Sequence, residues 1–458
     1  MYDNDLIIVI PGITGSTLHH GQEVIWSCRP RDVLKSLARL HLNMAKLKLP
    51  DDIGDNAADD GIRAGALMPR LHGIPGLSPP FRGYEPLVQR LRAARELPER
   101  SSQDHATVTN PVAFPYDWRL SNRYTARQLK LFAESALDQW RSSSPRNRDA
   151  LITFVCHSMG GLVARWYVSM EGGAAVTRKV ITLGTPYRGT VRALEVLTKG
   201  PAERLGGFGR LLHQATVTFP SVYQLLPSYA CVDDGSQLGQ LNRQHGLALP
   251  TAKLVDSVNF YRDIEAREEV DAGTSGRRHV IVGVGQRTLA SASLRSGTLE
   301  YSHLLDGHEH GGDGTVSAVS IPKGIALDDN TIRRVTDTHG NLQCNAAALD
   351  EIESVISSKP ILIKASQSVG LAVSVPELVG TEERFTVTIS SIPRRTVVCT
   401  LCDESEQIRL RFTVVVRDGE QTCVLGPLAP GGYTLEFCDP TRPHSRVLCP
   451  LIVWPTAA

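Results

Sequence analysis

The stretch L-I-T-F-V-C-H-S-M-G-G-L-V-A-R, residues 151–165, limits what this chain can fold into more than any other part of it. Its first six residues form a continuous apolar run, which reads as a strand buried on both faces. The run passes without a spacer into His157-Ser158-Met159-Gly160-Gly161, and a helical pattern begins at once, over Ser158 to Met170. A strand that turns directly into a helix leaves one residue on a sharp, exposed corner. Side chains two before and two after that corner press on neighbouring backbone, so small residues are needed there. Gly160 meets the demand, and Cys156, at the other position, is small enough to fit. A plain strand–helix turn with a capping serine has the same outline. The setting favours Ser158 as a nucleophile.

Strand and helix patterns alternate on both sides of this corner. Leu6 to Ile10, Ala106 to Phe114, Leu151 to Cys156, Lys179 to Leu183 and His279 to Val284 read as strands. Ser121 to Arg141 reads as a helix with Leu129, Phe132, Ala136 and Trp140 on one face, and Asn345 to Ser357 as another with Leu349, Ile352 and Ile356. Such alternation predicts an α/β fold, a mostly parallel sheet covered by helices. Two long segments, about Trp26 to Tyr84 and about Thr198 to Leu254, interrupt the pattern and are expected to form a cap or lid. The apolar pieces of the second fit neither a strand nor a long helix. After Lys359-Pro360 the helical period stops. Short alternating runs such as Phe385, Val387, Ile389 and Tyr433, Leu435, Phe437 follow, separated by turn residues. About seven or eight strands in this length predict an all-β, immunoglobulin-like sandwich. The expected domains are thus 1–358, with ester chemistry of its own, and 359–458, folding separately and serving to dock a partner protein, a membrane or another subunit.

At 458 residues the chain holds roughly three ordinary domains' worth of sequence. Lys plus Arg number 49 and Asp plus Glu 48, so no global charge favours nucleic acid. No apolar run reaches the roughly 18 residues of a spanning helix, and no signal-peptide pattern opens the sequence. A cytoplasmic location, with peripheral membrane contact, is the expectation. Five of the nine cysteines fall after residue 398. Cys399 and Cys402 have zinc-like spacing, but in a strand they point to opposite faces.

A serine hydroxyl needs a histidine base, and the base needs an acid to fix its tautomer. In this kind of fold the order along the chain is serine, acid, histidine. Asp313 lies in H-E-H-G-G-D-G-T-V, residues 308–316, and His339 in T-D-T-H-G-N, residues 336–341. Asp337 is a rival acid that can equally cap its own turn. His303, His308 and His310 are rival bases, or with Asp306 and Glu309 a metal site; a solvated loop accounts for them as well. Acyl transfer also requires donors for an oxyanion. The backbone N–H of Met159, next after the nucleophile, is one candidate. The loop Pro11-Gly12-Ile13-Thr14-Gly15-Ser16 follows the first strand, and the Ile13 N–H is the other. This loop has neither dinucleotide-binding glycine spacing nor a P-loop lysine.

Several further blocks are more specific than the serine motif: I-V-I-P-G-I-T-G-S-T-L (8–18), F-P-Y-D-W-R (114–119), T-L-G-T-P-Y-R-G (182–189), S-V-Y-Q-L-L-P-S (221–228) and G-D-G-T-V (312–316). In this order, with C-H-S-M-G-G-L-V-A-R (156–165), the chain resembles the lecithin:cholesterol acyltransferase-like family, which includes lysosomal phospholipase A2 and phospholipid:diacylglycerol acyltransferases. The likeness runs from about Asp5 to Ser357. It implies an α/β-hydrolase core, a serine acyl-enzyme, lipid ester substrates and no metal cofactor. It also implies Ser158, Asp313 and His339 as triad, with Ile13 and Met159 as oxyanion donors. Asp117 and Trp118 read as structural or pocket-lining. The chain departs from the animal enzymes in its C-terminal sandwich.

In the first insertion Val33, Leu37, Leu40, Met44 and Leu47 share one helical face, opposite Arg31, Lys35, Arg39 and Lys46. Such a helix can lie on an anionic membrane or pack as a cap. The reading that unites these features is a serine acyl hydrolase or O-acyltransferase acting on phospholipid or related lipid esters. A catalytically silent hydrolase fold that binds through the sandwich is the alternative.

Overall fold

A computed structural model of the chain describes residues 4–27, 43, 45–68, 83–94, 109–200, 206–235, 237–241, 247, 249–270, 277–329, 331–357, 371–391, 394–417, 419–441 and 446–454. The basic amphipathic face expected over 31–46 lies largely outside these residues, as does the 359–360 boundary.

Strands β1 (Leu6–Ile10), β2 (Val112–Ala113), β3 (Ile152–His157), β4 (Thr177–Leu183), β5 (Arg278–Val284) and β6 (Ile332–Thr336) form a six-stranded sheet in the order β6-β5-β4-β3-β1-β2. All of its pairs are parallel. Every residue of β1 is fully buried. Burial of each such Leu, Ile or Val is worth about 1.5–3 kcal/mol relative to exposure, which is why an unbroken apolar run becomes a central strand.

Helices α1 (Glu85–Ala93), α2 (Asn122–Ser143), α3 (Gly160–Met170), α4 (Val191–Lys199), α5 (Thr251–Val270) and α6 (Ala346–Ser357) accompany the sheet. Helix α2 starts where the Ser121 hydroxyl accepts from the Arg123 N–H. Its buried line is Ala126, Leu129, Ala133 and Leu137; Phe132, Ala136 and Trp140 are only half-buried. These three pack against the same core, at the margin of the buried line. In α3 all residues from Gly160 to Ser169 are buried. This includes Arg165, whose guanidinium forms two 2.9 Å bonds with Glu268 of α5. Arg278 of β5 bonds the same carboxylate at 2.9 Å, so the buried charges form one closed cluster. Burial pushes the Glu268 carboxyl up, but Arg165 and Arg278 outweigh it and hold the group below its usual range.

The second insertion is more regular than its sequence suggests. G-R-L-L-H lies in a helix over Gly206–Thr216, and α5 takes over from Thr251. Ile62–Leu67 of the first insertion and Glu23–Trp26 just ahead of it flank Ser16–His20 in a three-stranded sheet.

The C-terminal part contains β7 (Leu371–Ser374), β8 (Leu378–Gly380), β9 (Phe385–Ser391), β10 (Arg395–Asp403), β11 (Ile408–Val416), β12 (Gly419–Leu425), β13 (Gly431–Cys438) and β14 (Arg446–Trp454). They make a three-stranded sheet, β7-β9-β12, and a five-stranded sheet, β8-β14-β13-β10-β11. Val387 and Ile389 from one sheet share a core with Val397, Leu401, Leu435 and Phe437 from the other. That alternation of buried and exposed residues is what two packed sheets require. Cys399 is buried in this core, and burial pushes its thiol up to about 12. Among the described residues no group of three or more His, Cys, Asp or Glu side chains is arranged to hold a metal ion, and no helix is long and apolar enough to cross a membrane.

Candidate active site

The C-terminal end of β3 delivers the corner. Ser158 has φ +52°, the left-handed region that a non-glycine residue adopts at a cost, and its N–H is fixed at 2.8 Å to the Leu183 carbonyl of β4. The corner is compact enough that a Cβ on Gly160 would lie 2.4 Å from the Pro11 carbonyl oxygen. Cys156 is fully buried within β3, which accommodates its small side chain.

Two other strand ends bring the partners. The chain after β5 loops back so that Gln286 pairs with Gly312, which sets Asp313 beside the end of that strand. His339 follows β6 by three residues. The His339 Nδ1 lies 2.8 Å from Asp313 Oδ2, and its Nε2 lies 2.8 Å from Ser158 Oγ. A carboxylate can only accept, so the proton of a neutral ring sits on Nδ1 and Nε2 is left to accept from the serine hydroxyl. The other Asp313 oxygen, Oδ1, accepts from the Thr315 and Val316 N–H groups at 3.0 and 2.7 Å. The His339 N–H also bonds the Asp313 carbonyl at 2.8 Å. Ser158, Asp313 and His339 are all buried. Gly283 and Gly184 make room for them: a Cβ on Gly283 would lie 2.4 Å from the Asp313 Cβ, and one on Gly184 3.1 Å from His339 Nδ1.

Asp337 is bonded to residues of its own turn. Its oxygens accept from the Thr338 N–H at 2.8 Å and the Asn345 amide at 2.9 Å, which ties the turn together. His308 and His310 are exposed, and Glu309 faces Arg287 at 3.5 Å.

The loop holding Ile13 is braced from the Y-D-W-R block. The Tyr116 hydroxyl donates to the Pro11 carbonyl at 2.8 Å, and the Trp118 indole donates to the Ser16 carbonyl at 3.1 Å. Asp117 accepts from Arg119 at 2.6 Å, and the fully buried Arg119 also reaches Asp60. Trp118 thus holds the loop, while Asp117 is engaged by Arg119. Ile13 lines the pocket in front of Ser158, and Met159 stands at the start of α3 with its side chain buried.

A second series of bonds was not anticipated from sequence. His157 Nε2 lies 3.0 Å from the His339 carbonyl oxygen, which can only accept, so Nε2 carries the proton. Nδ1 then accepts from the Tyr84 hydroxyl at 2.9 Å, and that oxygen accepts from the Gly12 N–H at 2.8 Å. Burial, with a smaller contribution from His339, lowers the His157 pKa to about 3. This neutral ring therefore links the Gly12 loop to the His339 loop. The available signal was its position next to Ser158; Tyr84 had none, since it stands at the end of an insertion 73 residues away.

The pocket above Ser158 is walled by Ile13, Pro186, Val196, Val222, Leu225 and Val316. Val222 and Leu225 come from the L-L-P-S block, which is pinned by the Ser221 hydroxyl to the Trp118 carbonyl at 2.6 Å. The charged lining residues are Arg192 of α4 and Glu377, both partly exposed; His157 and His339 also line the pocket.

Comparison with known proteins follows the same outline. The chain resembles one protein of the crystal structure of the Tle4-Tli4 complex, at 15% identity and TM-score 0.50, covering 77% of this chain and 98% of that one. The likeness is one of fold. More distant are the lipase BlEst2 of Bacillus licheniformis in its propeptide form (9% identity, TM-score 0.37, covering 98% and 93%) and the phospholipase PlaB of Legionella pneumophila (10%, TM-score 0.30, covering 97% and 89%). No curated protein matches the chain. The sequence model of the lecithin:cholesterol acyltransferase family matches residues 105–242, a span that holds the Y-D-W-R block, the Ser158 corner and the L-L-P-S block and ends before Asp313 and His339. The parallel sheet with its helices is an α/β-hydrolase core, and residues 105–242 of it resemble the lecithin:cholesterol acyltransferase family.

Proposed function

We propose that this protein is a serine-dependent acyl ester hydrolase or O-acyltransferase that acts on phospholipid or related lipid esters through an acyl-enzyme. The observation that carries the reading is the bonded series Ser158 Oγ, His339 Nε2, His339 Nδ1 and Asp313 Oδ2, with both links at 2.8 Å, at the floor of a largely apolar pocket. His339 Nε2 takes the hydroxyl proton as Ser158 Oγ bonds the ester carbonyl carbon. Asp313 keeps Nδ1 protonated and stabilises the imidazolium that forms. In this reading the Ile13 and Met159 N–H groups donate to the negative oxygen of the tetrahedral intermediate, the role that acyl transfer requires of backbone dipoles. Collapse breaks the bond to the leaving alcohol, and His339 returns the proton to it. Water or a second alcohol then attacks the acyl-serine by the reverse steps.

The apolar walls suit an acyl chain, and the family match supports a lipid ester. The test has two stages. A fluorophosphonate probe should label Ser158 in the intact protein. Mass spectrometry of a phospholipid extract incubated with it, with and without an added alcohol, should then show free fatty acid or a new ester. Absence of labelling and of both products would overturn the reading.

A further inference from the structure

The C-terminal sandwich reaches the candidate site at three points. On β14 the carbonyl of Leu448 accepts from the Asn341 amide at 2.7 Å and from the Thr338 hydroxyl at 3.2 Å. These two donors flank His339, and Asn341 is 1% exposed. On β7 the Val373 N–H donates to the buried side-chain oxygen of Gln286 at 3.3 Å, and the Gln286 N–H bonds the Gly312 carbonyl at 2.9 Å, one residue before Asp313. Beyond β7, Glu377 lies 3.6 Å from Arg192, and both line the pocket that opens on Ser158. The three contacts thus reach the base loop, the acid loop and the pocket rim.

We infer that the sandwich is a working part of the active site: through Leu448 it positions the His339 loop, and through Glu377 it forms one side of the rim that admits the acyl ester. This rests on the hydrolase reading above. The His339 loop is held from inside by the His157 ring on its carbonyl and from outside by Leu448. If the outer hold is removed, the imidazole can drift by a fraction of an ångström, and a misplacement of about 1 Å can cost 10²-fold in rate. Asn341 and Thr338 are in this sense positioning residues. The rim acts differently. Arg192 faces Glu195 at 2.5 Å on its own helix and Glu377 across the gap, so the ion pair joins α4 to the sandwich beside the pocket. A long acyl chain or a headgroup must pass this pair; a short soluble ester need not press on it.

Two sets of full-length variants test the inference. The first is Asn341→Leu with Thr338→Val, which removes both donors at similar volume. Its kcat for a short ester and its probe-labelling rate should fall about 10-fold or more, with KM little changed. A purely structural role would instead lower the melting temperature and the fraction of active protein, while the active fraction kept its kcat. The second set, Arg192→Glu, Glu377→Arg and the double exchange, concerns residues about a third exposed, whose replacement leaves the core intact. Each single reversal should raise KM for a long-chain lipid ester several-fold more than it raises KM for the short one, and the double exchange should restore it. Wild-type rates in the first set, or charge effects that simply add in the second, would overturn the inference. A wild-type protein that takes up no probe would defeat the hydrolase reading itself, whereas one that labels alongside equally fast variants defeats only the role given to the sandwich.

Discussion

The ring of His157 is bonded to the backbone of His339, Nε2 to carbonyl oxygen at 3.0 Å, so the residue before the serine supports the residue that would activate it. The support requires a neutral ring. Protonation would add a proton at Nδ1, where the Tyr84 hydroxyl now donates, and would set a buried charge beside His339.

Stability should therefore depend on this group in acid. The unfolded chain takes up a proton on it near 6.5, the folded one only near 3. Between these values the unfolded state binds more protons, so stability rises with pH across the window and falls as pH drops through it. The slope for one full proton is about 1.4 kcal/mol per pH unit. His157→Gln removes the titration while keeping a donor on the side chain. Thermal melts should show a shallower loss between about pH 6 and about pH 4 in the variant; equal slopes would count against the assignment.

Ser158→Ala should abolish turnover and probe labelling and leave the melting temperature almost unchanged. The hydroxyl bonds only the His339 ring among the described contacts, and Ala keeps the same backbone strain. Esterase turnover in the purified variant would remove Ser158 from the mechanism.

For the acid the informative comparison is between neighbours. Asp313→Asn can no longer hold His339 Nδ1–H, and turnover should fall by about 10⁴, the loss seen for the same change in serine proteases. Asp337→Asn loosens a turn and should change turnover only a few-fold. The reverse ranking would exchange their roles.

The Arg165–Glu268–Arg278 cluster gives a prediction about stability alone. Glu268→Gln leaves the buried Arg165 and the partly buried Arg278 facing a neutral amide, and removing one partner of a buried ion pair costs about 3–5 kcal/mol. Chemical denaturation should report that loss. A change below about 1 kcal/mol would mean that water reaches the cluster and solvates the arginines.

How much of this could be read from the sequence varies by element. β1 and β3 were legible because a strand buried on both faces is apolar throughout. β6 was not: I-R-R-V-T places Arg333 and Arg334 in the middle of an edge strand, where Arg333 faces Glu351 at 3.5 Å. Helix α5 buries Ser257 and Glu268 along with Phe260, Tyr261 and Ile264, so its packed face carries no clean apolar stripe. The serine, acid and histidine stand in short motifs with a required order, and the structure brings those three residues together. Tyr84, Arg192 and Glu377 stand in no motif, and Asn341 closes the T-D-T-H-G-N stretch with nothing local to show its partner. Their contacts cross 73 residues or more, or pass from the hydrolase core to the sandwich, and depend on packing that local pattern does not encode.

The three loops of the site are fastened to strands whose alignment is set deep in the sheet. Val284 pairs with Thr336, and His157 with Leu183, as the last rungs of ladders that begin several residues earlier. A slip of one rung would shift a loop by about 3.3 Å and turn every side chain of the slipped strand to the opposite face. The distance between Ser158 and His339 is thus inherited from residues such as Val280 and Ile332, which never meet a substrate. A substitution that loosens that pairing should behave in an assay like a change at the reacting atoms, though it lies on the far side of the fold.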